Sequence, residues 1–300
     1  MGGEKIYLNI TLTDLKESFK SVSKILHFLF LSSIFTAAMV SFFLYSSFIL
    51  MGVKPDIILI ISIFLTFFAI YNINNLTDKE EDSINQPERA NYTKHNEKLI
   101  LFLSISSYFI AILLGFYVNY LTIPVILFPF IIGILYSVQI HPKVPRMKEV
   151  VGIKSFVVAI SFVMITVIPV IFLNRINTMI ILLFYFFFVK IFINTIIFDI
   201  RDIEGDRKNN IKTIPVAMGK SGTKKLLFAI NSSLVFWLAV SIYFGLFTPY
   251  IPVLIFSIAY GYWYIYYFCN TEKVPKFAIN ILVDGEWIFI ALLCIIITII

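Results

Sequence analysis

Groups that cross-link a chain or bind soft metals are scarce in this sequence of 300 residues. It contains two cysteines, Cys269 and Cys294, both within apolar runs, and three isolated histidines. These few residues exclude a disulfide framework and a zinc site. Charged residues are also scarce, at 14% of the chain, against roughly 25% in soluble domains. That excludes a soluble enzyme, a disordered chain and a nucleic-acid-binding module, since each needs an extensive charged surface.

Apolar residues are abundant instead and make up 59% of the chain. A helix that crosses a bilayer needs about 20 mostly apolar residues, because its backbone must satisfy its own hydrogen bonds in lipid. The sequence therefore predicts an all-α integral membrane protein, with one domain over residues 1–300 and nine transmembrane helices. The nine runs are approximately 25–50, 56–77, 99–118, 122–140, 150–173, 178–198, 226–246, 250–269 and 277–300. The first is too long for a cleaved signal peptide and is expected to be retained.

Lysine and arginine are distributed unequally between the two sets of loops. Of the 24 such residues, 21 lie before the first run or after the second, fourth, sixth and eighth runs. Only Lys54 and Arg175 lie in the loops of the opposite side, and Lys190 lies inside the sixth run. Because positive residues accumulate on the cytoplasmic side, the N-terminus and the more basic loops are predicted to be cytoplasmic.

Acidic residues are concentrated where the second and sixth runs reach the cytoplasmic side. Ten of the 18 lie in the segments 78–97 and 199–206. The positive-inside rule does not require this, since acidic residues contribute little to orientation. Carboxylates at the mouth of a membrane helix are costly to desolvate and need a partner. The two segments therefore predict a functional site.

Within these segments, oxygen-bearing side chains recur at helical spacing and form two rows. If each helix continues through its row, the first spans an arc of about 80° and the second about 60°. Mg²⁺ prefers oxygen ligands and commonly sits between carboxylates and substrate phosphates. One row alone equally fits a solvated helix end, but two rows favour more than one Mg²⁺ clamping a diphosphate. The first row is Asn74, Asp78 and Asp82, and the second row is Asp199, Asp202 and Asp206.

These rows and their flanks resemble the motifs of the UbiA superfamily of intramembrane prenyltransferases. The family patterns Asn-x3-Asp-x3-Asp and Asp-x3-Asp match the first row and the last two residues of the second. Asn75 and Ala90 depart from the pattern, since members often have Asp and Pro there, and the Arg-Pro common before the first helix is missing. Further matches are Asn85, Arg89, the segment 201–207, Lys212, Gly219, Tyr136-Ser137, Arg146 and Lys148.

The resemblance implies transfer of an isoprenyl chain from an allylic diphosphate to an acceptor, with Mg²⁺ as cofactor and nine helices around a central cavity. Asp78, Asp82, Asp202 and Asp206 are implied to be catalytic. The loops 78–97, 141–149 and 199–222 are expected to cap the cavity on the cytoplasmic side and keep water from an allylic cation. Residues implied to contact diphosphate or acceptor are Arg89, Tyr136, Ser137, Arg146, Lys148 and Lys212.

Lys190, Asp284 and Glu286 are charged residues in otherwise apolar runs that neither row accounts for. Lys190 stands nine residues before Asp199, about 13 Å deeper at the helical rise. A lysine at such depth usually faces a cavity or a partner, so we expect it to line the cavity, with an internal ion pair as the alternative. Asp284 and Glu286, near the start of the ninth run, are expected in the cytoplasmic interface zone.

Two other classes of membrane protein also use acidic residues. CDP-alcohol phosphotransferases carry their aspartates in one continuous run, whereas more than 100 residues separate the rows here. A cation-coupled transporter places its acids near the midplane, whereas these lie at one membrane face. The expected partners are the diphosphate donor, a hydrophobic or amphiphilic acceptor and membrane lipid, with no nucleic acid and no obligate protein partner. A lipid or quinone precursor is favoured as acceptor, and an aromatic acceptor and the donor's chain length stay open.

Overall fold

The computed structural model describes residues 12–137, 150–173, 178–209, 211–272, 274 and 276–299, and every regular element within them is helical. The α-helices are α1 (Leu12–Leu31), α2 (Ile34–Leu50), α3 (Ile57–Thr77), α4 (Lys79–Asn85), α5 (Pro87–His95), α6 (Glu97–Val118), α7 (Thr122–Ser137), α8 (Ile153–Ile165), α9 (Val167–Val170), α10 (Thr178–Arg201), α11 (Ile203–Lys208), α12 (Ile214–Tyr243), α13 (Ile251–Asn270), α14 (Lys276–Ile279) and α15 (Glu286–Ile299). A 3₁₀ turn at Thr248–Tyr250 precedes α13, and a π-helical turn at Asn280–Asp284 precedes α15.

Seven helical segments in the described residues are long and apolar enough to cross a membrane. They are α3, α6, α8 with α9, α10, α12, α13 with its 3₁₀ turn, and the π turn with α15. Each overlaps one of the predicted apolar runs, although α12 begins 12 residues before the run predicted at 226–246. The fourth predicted run corresponds to α7, and its residues 138–140 lie outside the described residues.

The first predicted run, 25–50, is not one helix, so this expectation was wrong. The chain turns by 81° between α1 and α2, where Ser33 adopts a left-handed conformation with φ 62°. Two asparagines of α3 hold the turn in place. Asn72 donates to the Ser32 carbonyl at 3.2 Å, and Asn75 donates to the Ser33 hydroxyl at 3.0 Å. Hydrogen bonds from α3, about 40 positions further along the sequence, therefore stabilise a break that the hydropathy of this run does not reveal.

The long helices pack in a closed ring that follows chain order. Consecutive contacts run from α2 through α3, α6, α7, α8, α10, α12 and α13 to α15, and α15 packs back against α2. Where the ring closes, the Phe43 ring lies 4.7 Å from both Phe187 and Trp287. Lipid gives no hydrophobic drive for helix association, so close packing of this kind supplies the attraction. The ring encloses a cavity that contains the predicted site.

Candidate active site

Each acidic row spans a break between a long and a short helix. α3 ends at Thr77, Asp78 stands at the break, and α4 follows; α10 ends at Arg201, Asp202 stands at the break, and α11 follows. The assumption of continuous helices was therefore wrong. Backbone bonds still carry the helical path across, from Asp78 N–H to the Asn74 carbonyl at 2.9 Å and from Asp206 N–H to the Asp202 carbonyl at 2.9 Å.

All six residues of the two rows line one cavity of about 270 Å³. The structure thus brings together Asp78 and Asp202, which are 124 positions apart in the chain. Away from the rows the wall becomes apolar: Ile191, eight residues before Asp199, lies about 12 Å further into the helix ring at the helical rise. Apolar lining residues include Phe30, Met39, Val40, Val158, Phe162 and Ile191. The cavity therefore combines an acidic mouth with an apolar interior.

The short helices α4 and α11 hold the two rows against each other. The Asn85 amide oxygen accepts a hydrogen bond from the Gly205 backbone N–H at 3.1 Å. A side chain at position 205 would collide with Asn85, so this approach needs glycine. With its amide oxygen turned inward, Gln86 accepts from both Arg89 and Arg201 at 2.9 Å. The first row's own flank, Asn85 to Arg89, therefore sets the spacing between the rows.

In each row, one carboxylate accepts two hydrogen bonds from an arginine. Arg89 donates to Asp82 at 2.6 and 3.1 Å, and Arg201 donates to Asp202 at 2.7 and 2.8 Å. Such two-point contacts combine charge with fixed geometry. Burial opposes ionisation of Asp202, but Arg201 holds the pKa of this carboxyl below its ordinary value. Arg89 was predicted to belong to the site, whereas the sequence analysis did not single out Arg201.

Lys154 connects two carboxylates of the second row. Its Nζ lies 2.9 Å from Asp199 and 3.3 Å from Asp206, and the Ser155 hydroxyl donates to Asp199 at 2.8 Å. Burial raises the pKa of Asp206 to about 7 even with this lysine alongside. The sequence analysis treated Lys154 as a topology charge. Its place at the very start of an apolar run was the available signal for a site residue.

The donor set fits Mg²⁺, since it consists of carboxylate and amide oxygens beside a cavity mouth. Among the described residues, no group of three acidic, histidine or cysteine side chains converges to hold an ion by itself. The rows therefore suit ions that take the rest of their oxygen ligands from a substrate or from water, which is how Mg²⁺ usually binds to diphosphates.

Lys190 does not lie where it was expected. It is fully buried, its Nζ is 2.7 Å from Glu286, and it is absent from the described residues that line the cavity. The alternative, an internal ion pair, is the arrangement observed. Glu286 is also fully buried, and its expected place in the cytoplasmic interface zone stays a prediction. Asp284, by contrast, lines the cavity.

Of the other predicted contact residues, Lys212 is the one whose side chain is described. Lys212 is exposed and is not among the described lining residues. Tyr136 and Ser137 belong to α7, but their side chains lie outside what is described, as do Arg146, Lys148 and the loop 141–149. Several polar lining residues were not predicted from the sequence. These are Asn194, Thr195, Asn280 and Gln86, besides Lys154 and Arg201.

Residues 33–293 match the sequence model of the UbiA prenyltransferase family. The chain belongs to this family. The match runs from the turn before α2 into α15, so it includes both rows and the whole helix ring. The UbiA resemblance inferred from the two rows is therefore confirmed.

This UbiA protein is similar to one named relative and to several solved structures. It is 30% identical over 192 residues to the digeranylgeranylglyceryl phosphate synthase of Methanothermobacter thermautotrophicus, a match that covers 62% of this chain and 64% of the relative. Its fold is similar to a UbiA homologue from Archaeoglobus fulgidus solved with GPP and Mg²⁺, at TM-score 0.69, 17% identity and coverage of 89% and 98% of the two chains. A solved digeranylgeranylglyceryl phosphate synthase gives TM-score 0.55 at 16% identity, with coverage of 94% and 98%.

Proposed function

We propose that this UbiA protein is an intramembrane prenyltransferase, which moves an isoprenyl chain from an allylic diphosphate to an amphiphilic acceptor. The observation that carries the proposal is the cavity itself, because both acidic rows line its mouth and apolar side chains line its interior. A donor with a charged head and an apolar tail matches these two surfaces. Membership of the family and the relative's name support the same reaction.

Asp78, Asp82, Asp202 and Asp206 are proposed to hold Mg²⁺ together with Asn74 and Asp199. When bound, Mg²⁺ would neutralise the leaving diphosphate and orient it. The Archaeoglobus fulgidus homologue, which was solved with GPP and Mg²⁺, supports this assignment. Arg89, Arg201 and Lys154, which now pair with carboxylates, lie within reach of the same mouth and are proposed to bind diphosphate oxygens. The apolar wall excludes water from the allylic cation that ionisation leaves.

We also propose nine membrane spans, with α7 and the bent α1–α2 pair completing the seven long segments. The N-terminus and both rows are placed on the cytoplasmic side, where the basic loops accumulate. The loops 78–97 and 199–222, with 141–149, are proposed to form the cap, and Tyr136, Ser137, Arg146 and Lys148 are proposed to contact substrate from that side. Labelling of single cysteines introduced at exposed positions of these loops, in inside-out and right-side-out vesicles, tests the orientation. Labelling from the outer face would contradict it.

For the acceptor we propose a glycerol phosphate lipid that already carries one isoprenyl chain, with geranylgeranyl diphosphate as donor. The named relative, a digeranylgeranylglyceryl phosphate synthase, supports this choice. The basic side chains Arg89, Lys154 and Arg201 at the cavity mouth suit an acceptor phosphate as well as a diphosphate. The reacting group of such an acceptor is a hydroxyl.

The proposal is tested with purified protein, Mg²⁺ and radiolabelled geranylgeranyl diphosphate against a panel of acceptors. The panel contains geranylgeranylglyceryl phosphate, a quinone precursor and an aromatic acid. We expect a labelled lipid with the first acceptor, loss of product in EDTA, and at least a 100-fold loss in Asp78→Asn and Asp202→Asn. Glu204→Gln, an exposed residue beside the second row, is the matched control. No product with any acceptor, unchanged by EDTA, would contradict an enzymatic function.

A further inference from the structure

A carboxylate outside both rows enters the cavity from the last helix of the ring. Asp284 lines the cavity together with Asn280 and Trp287. These three residues are spaced i, i+4 and i+7, so they share one side of the helix. Neither family pattern includes Asp284. The cavity therefore contains an acid that the rows do not account for.

The backbone that carries Asp284 departs from an ordinary α-helix. Asn280–Asp284 is a π-helical turn, which the Gly285 N–H closes by donating to the Asn280 carbonyl at 3.2 Å. A side chain at position 285 would collide with the Ile281 carbonyl, so the turn requires glycine. Single π turns within α-helices occur frequently at functional sites. The sequence thus maintains a distorted turn at the point where Asp284 meets the cavity.

Contacts on the outer side of this turn hold it in one orientation. Glu286 pairs with Lys190 at 2.7 Å and accepts from the Ser257 hydroxyl at 2.7 Å. The Tyr260 hydroxyl donates to the Leu282 carbonyl at 2.8 Å. These bonds tie the turn to α10 and α13. With Glu286 held against α10 and α13, away from the cavity, Asp284, two residues earlier and on the opposite side of the helix, is directed to the cavity.

Asp284 lies deeper than the acidic rows. Arg201, which grips Asp202 at the mouth, donates to Asn280 at 3.4 Å, so Asn280 lies level with the rows. Asp284 is four residues further along, at the other end of the π turn, and therefore lies deeper in the helix ring. The rows would bind the diphosphate, so this depth is where the first carbon of the donor's chain would follow it. Among the described residues, none forms a salt bridge with Asp284, unlike Asp82, Asp199, Asp202 and Asp206.

We propose that Asp284 is a further catalytic residue, the general base that removes the proton from the acceptor hydroxyl. This inference rests on the prenyl transfer proposed above. The bond between the donor's first carbon and its oxygen breaks, and its electron pair leaves with the diphosphate. The acceptor oxygen forms the new bond to that carbon, and its proton passes to a carboxylate oxygen of Asp284. The Asp284 carboxyl then loses this proton to water when the product leaves.

The test separates proton removal from donor ionisation in the full chain. For Asp284→Asn we expect transfer to geranylgeranylglyceryl phosphate to fall by about 100-fold or more, which is the usual contribution of a general base. Mg²⁺-dependent binding of geranylgeranyl diphosphate should stay within about 3-fold of wild type. Slow hydrolysis of the donor by water in the absence of acceptor, which gives the isoprenyl alcohol, free diphosphate and a proton released to bulk water, needs donor ionisation but no acceptor hydroxyl, so it should also persist. Asp284→Glu should recover part of the transfer, and Glu204→Gln is the control.

Four results would overturn the inference. Asp284→Asn that transfers at the wild-type rate shows that no base is needed there. If Asp284→Asn loses donor binding and diphosphate release in parallel with transfer, Asp284 belongs to the metal site or serves folding instead. If Asp284→Glu binds donor but recovers no transfer, a carboxylate is not the proton acceptor at this position. If the wild-type protein releases diphosphate but prenylates no hydroxyl acceptor, the proposed acceptor is wrong and this inference fails with it. If the wild-type protein does transfer the chain, the proposed function stands, and the Asp284 variants then test the general base by itself.

Discussion

Lys190 and Glu286 form a fully buried ion pair, with 2.7 Å between Nζ and the carboxylate. The same Nζ donates to the Ser257 carbonyl at 2.9 Å and to the Tyr264 hydroxyl at 3.3 Å. The Tyr264 hydroxyl in turn donates to Asn194, a cavity-lining residue, at 2.8 Å. This network joins α10, α13 and α15 inside the ring. The network therefore connects three of the helices that shape the cavity.

Removal of one member of this pair is expected to destabilise the protein. Lys190→Met leaves Glu286 buried without its cation, and breaking a buried pair costs about 3–5 kcal/mol. The double variant Lys190→Met with Glu286→Gln leaves no unpaired charge and should recover most of that loss. Thermal unfolding of the purified variants in detergent measures both effects. A single variant as stable as wild type, or a double variant no better than the single, would show that the pair is not structural.

Arg89→Lys is expected to weaken Mg²⁺-dependent binding of geranylgeranyl diphosphate about 10-fold. Lysine cannot reproduce the two parallel bonds that Arg89 makes to Asp82, and arginine suits phosphate oxygens for the same geometric reason. Equilibrium binding of the labelled donor is the measurement. Arg207→Lys, an exposed arginine in α11, is the control. Equal donor affinity in both variants would remove Arg89 from the diphosphate site.

Gly205→Ala is expected to separate the two acidic rows. The new methyl group collides with Asn85, and overpacking of this kind costs about 1–3 kcal/mol. The transfer rate should fall by a larger factor than this loss of folding free energy alone would cause, because both rows bind one diphosphate in the proposed reaction. Gly133→Ala serves as control, since nothing lies within 4 Å of a side chain there. Parallel activity and melting curves decide; a fully active Gly205→Ala protein would show that the spacing between rows is not critical.

Ile191→Trp is expected to shift donor preference toward shorter chains. Ile191 lines the apolar interior, and the bulkier indole ring of tryptophan at this position would shorten the space for an isoprenoid tail. The ratio of kcat/KM for geranyl over geranylgeranyl diphosphate should rise about 10-fold, within the range that one pocket contact supplies. Ile181→Trp, 65% exposed on the outside of the same helix, should leave the ratio unchanged. An unchanged ratio for Ile191→Trp would place the tail elsewhere.

Hydropathy and residue spacing predicted much of this protein because each reflects a local requirement. A helix in lipid must be apolar along its length, which makes α3, α6 and α10 recognisable in the sequence. A metal site needs several oxygens on one face, which made Asn74, Asp78 and Asp82 visible as a row. The break at Ser33 was not visible, since two asparagines of another helix stabilise it.

Residue type and spacing alone thus determined that the chain is helical, embedded in a membrane and equipped with two acidic rows. Only the tertiary structure decided which charges serve which purpose. Lys154 and Lys190 are both lysines near or within apolar runs, yet the first bridges two site carboxylates and the second pairs with Glu286 away from the cavity. The two lysines differ because different helices lie opposite their side chains. Which helices are neighbours is set by packing of the whole ring, and the hydropathy of a segment carries no information about its neighbours.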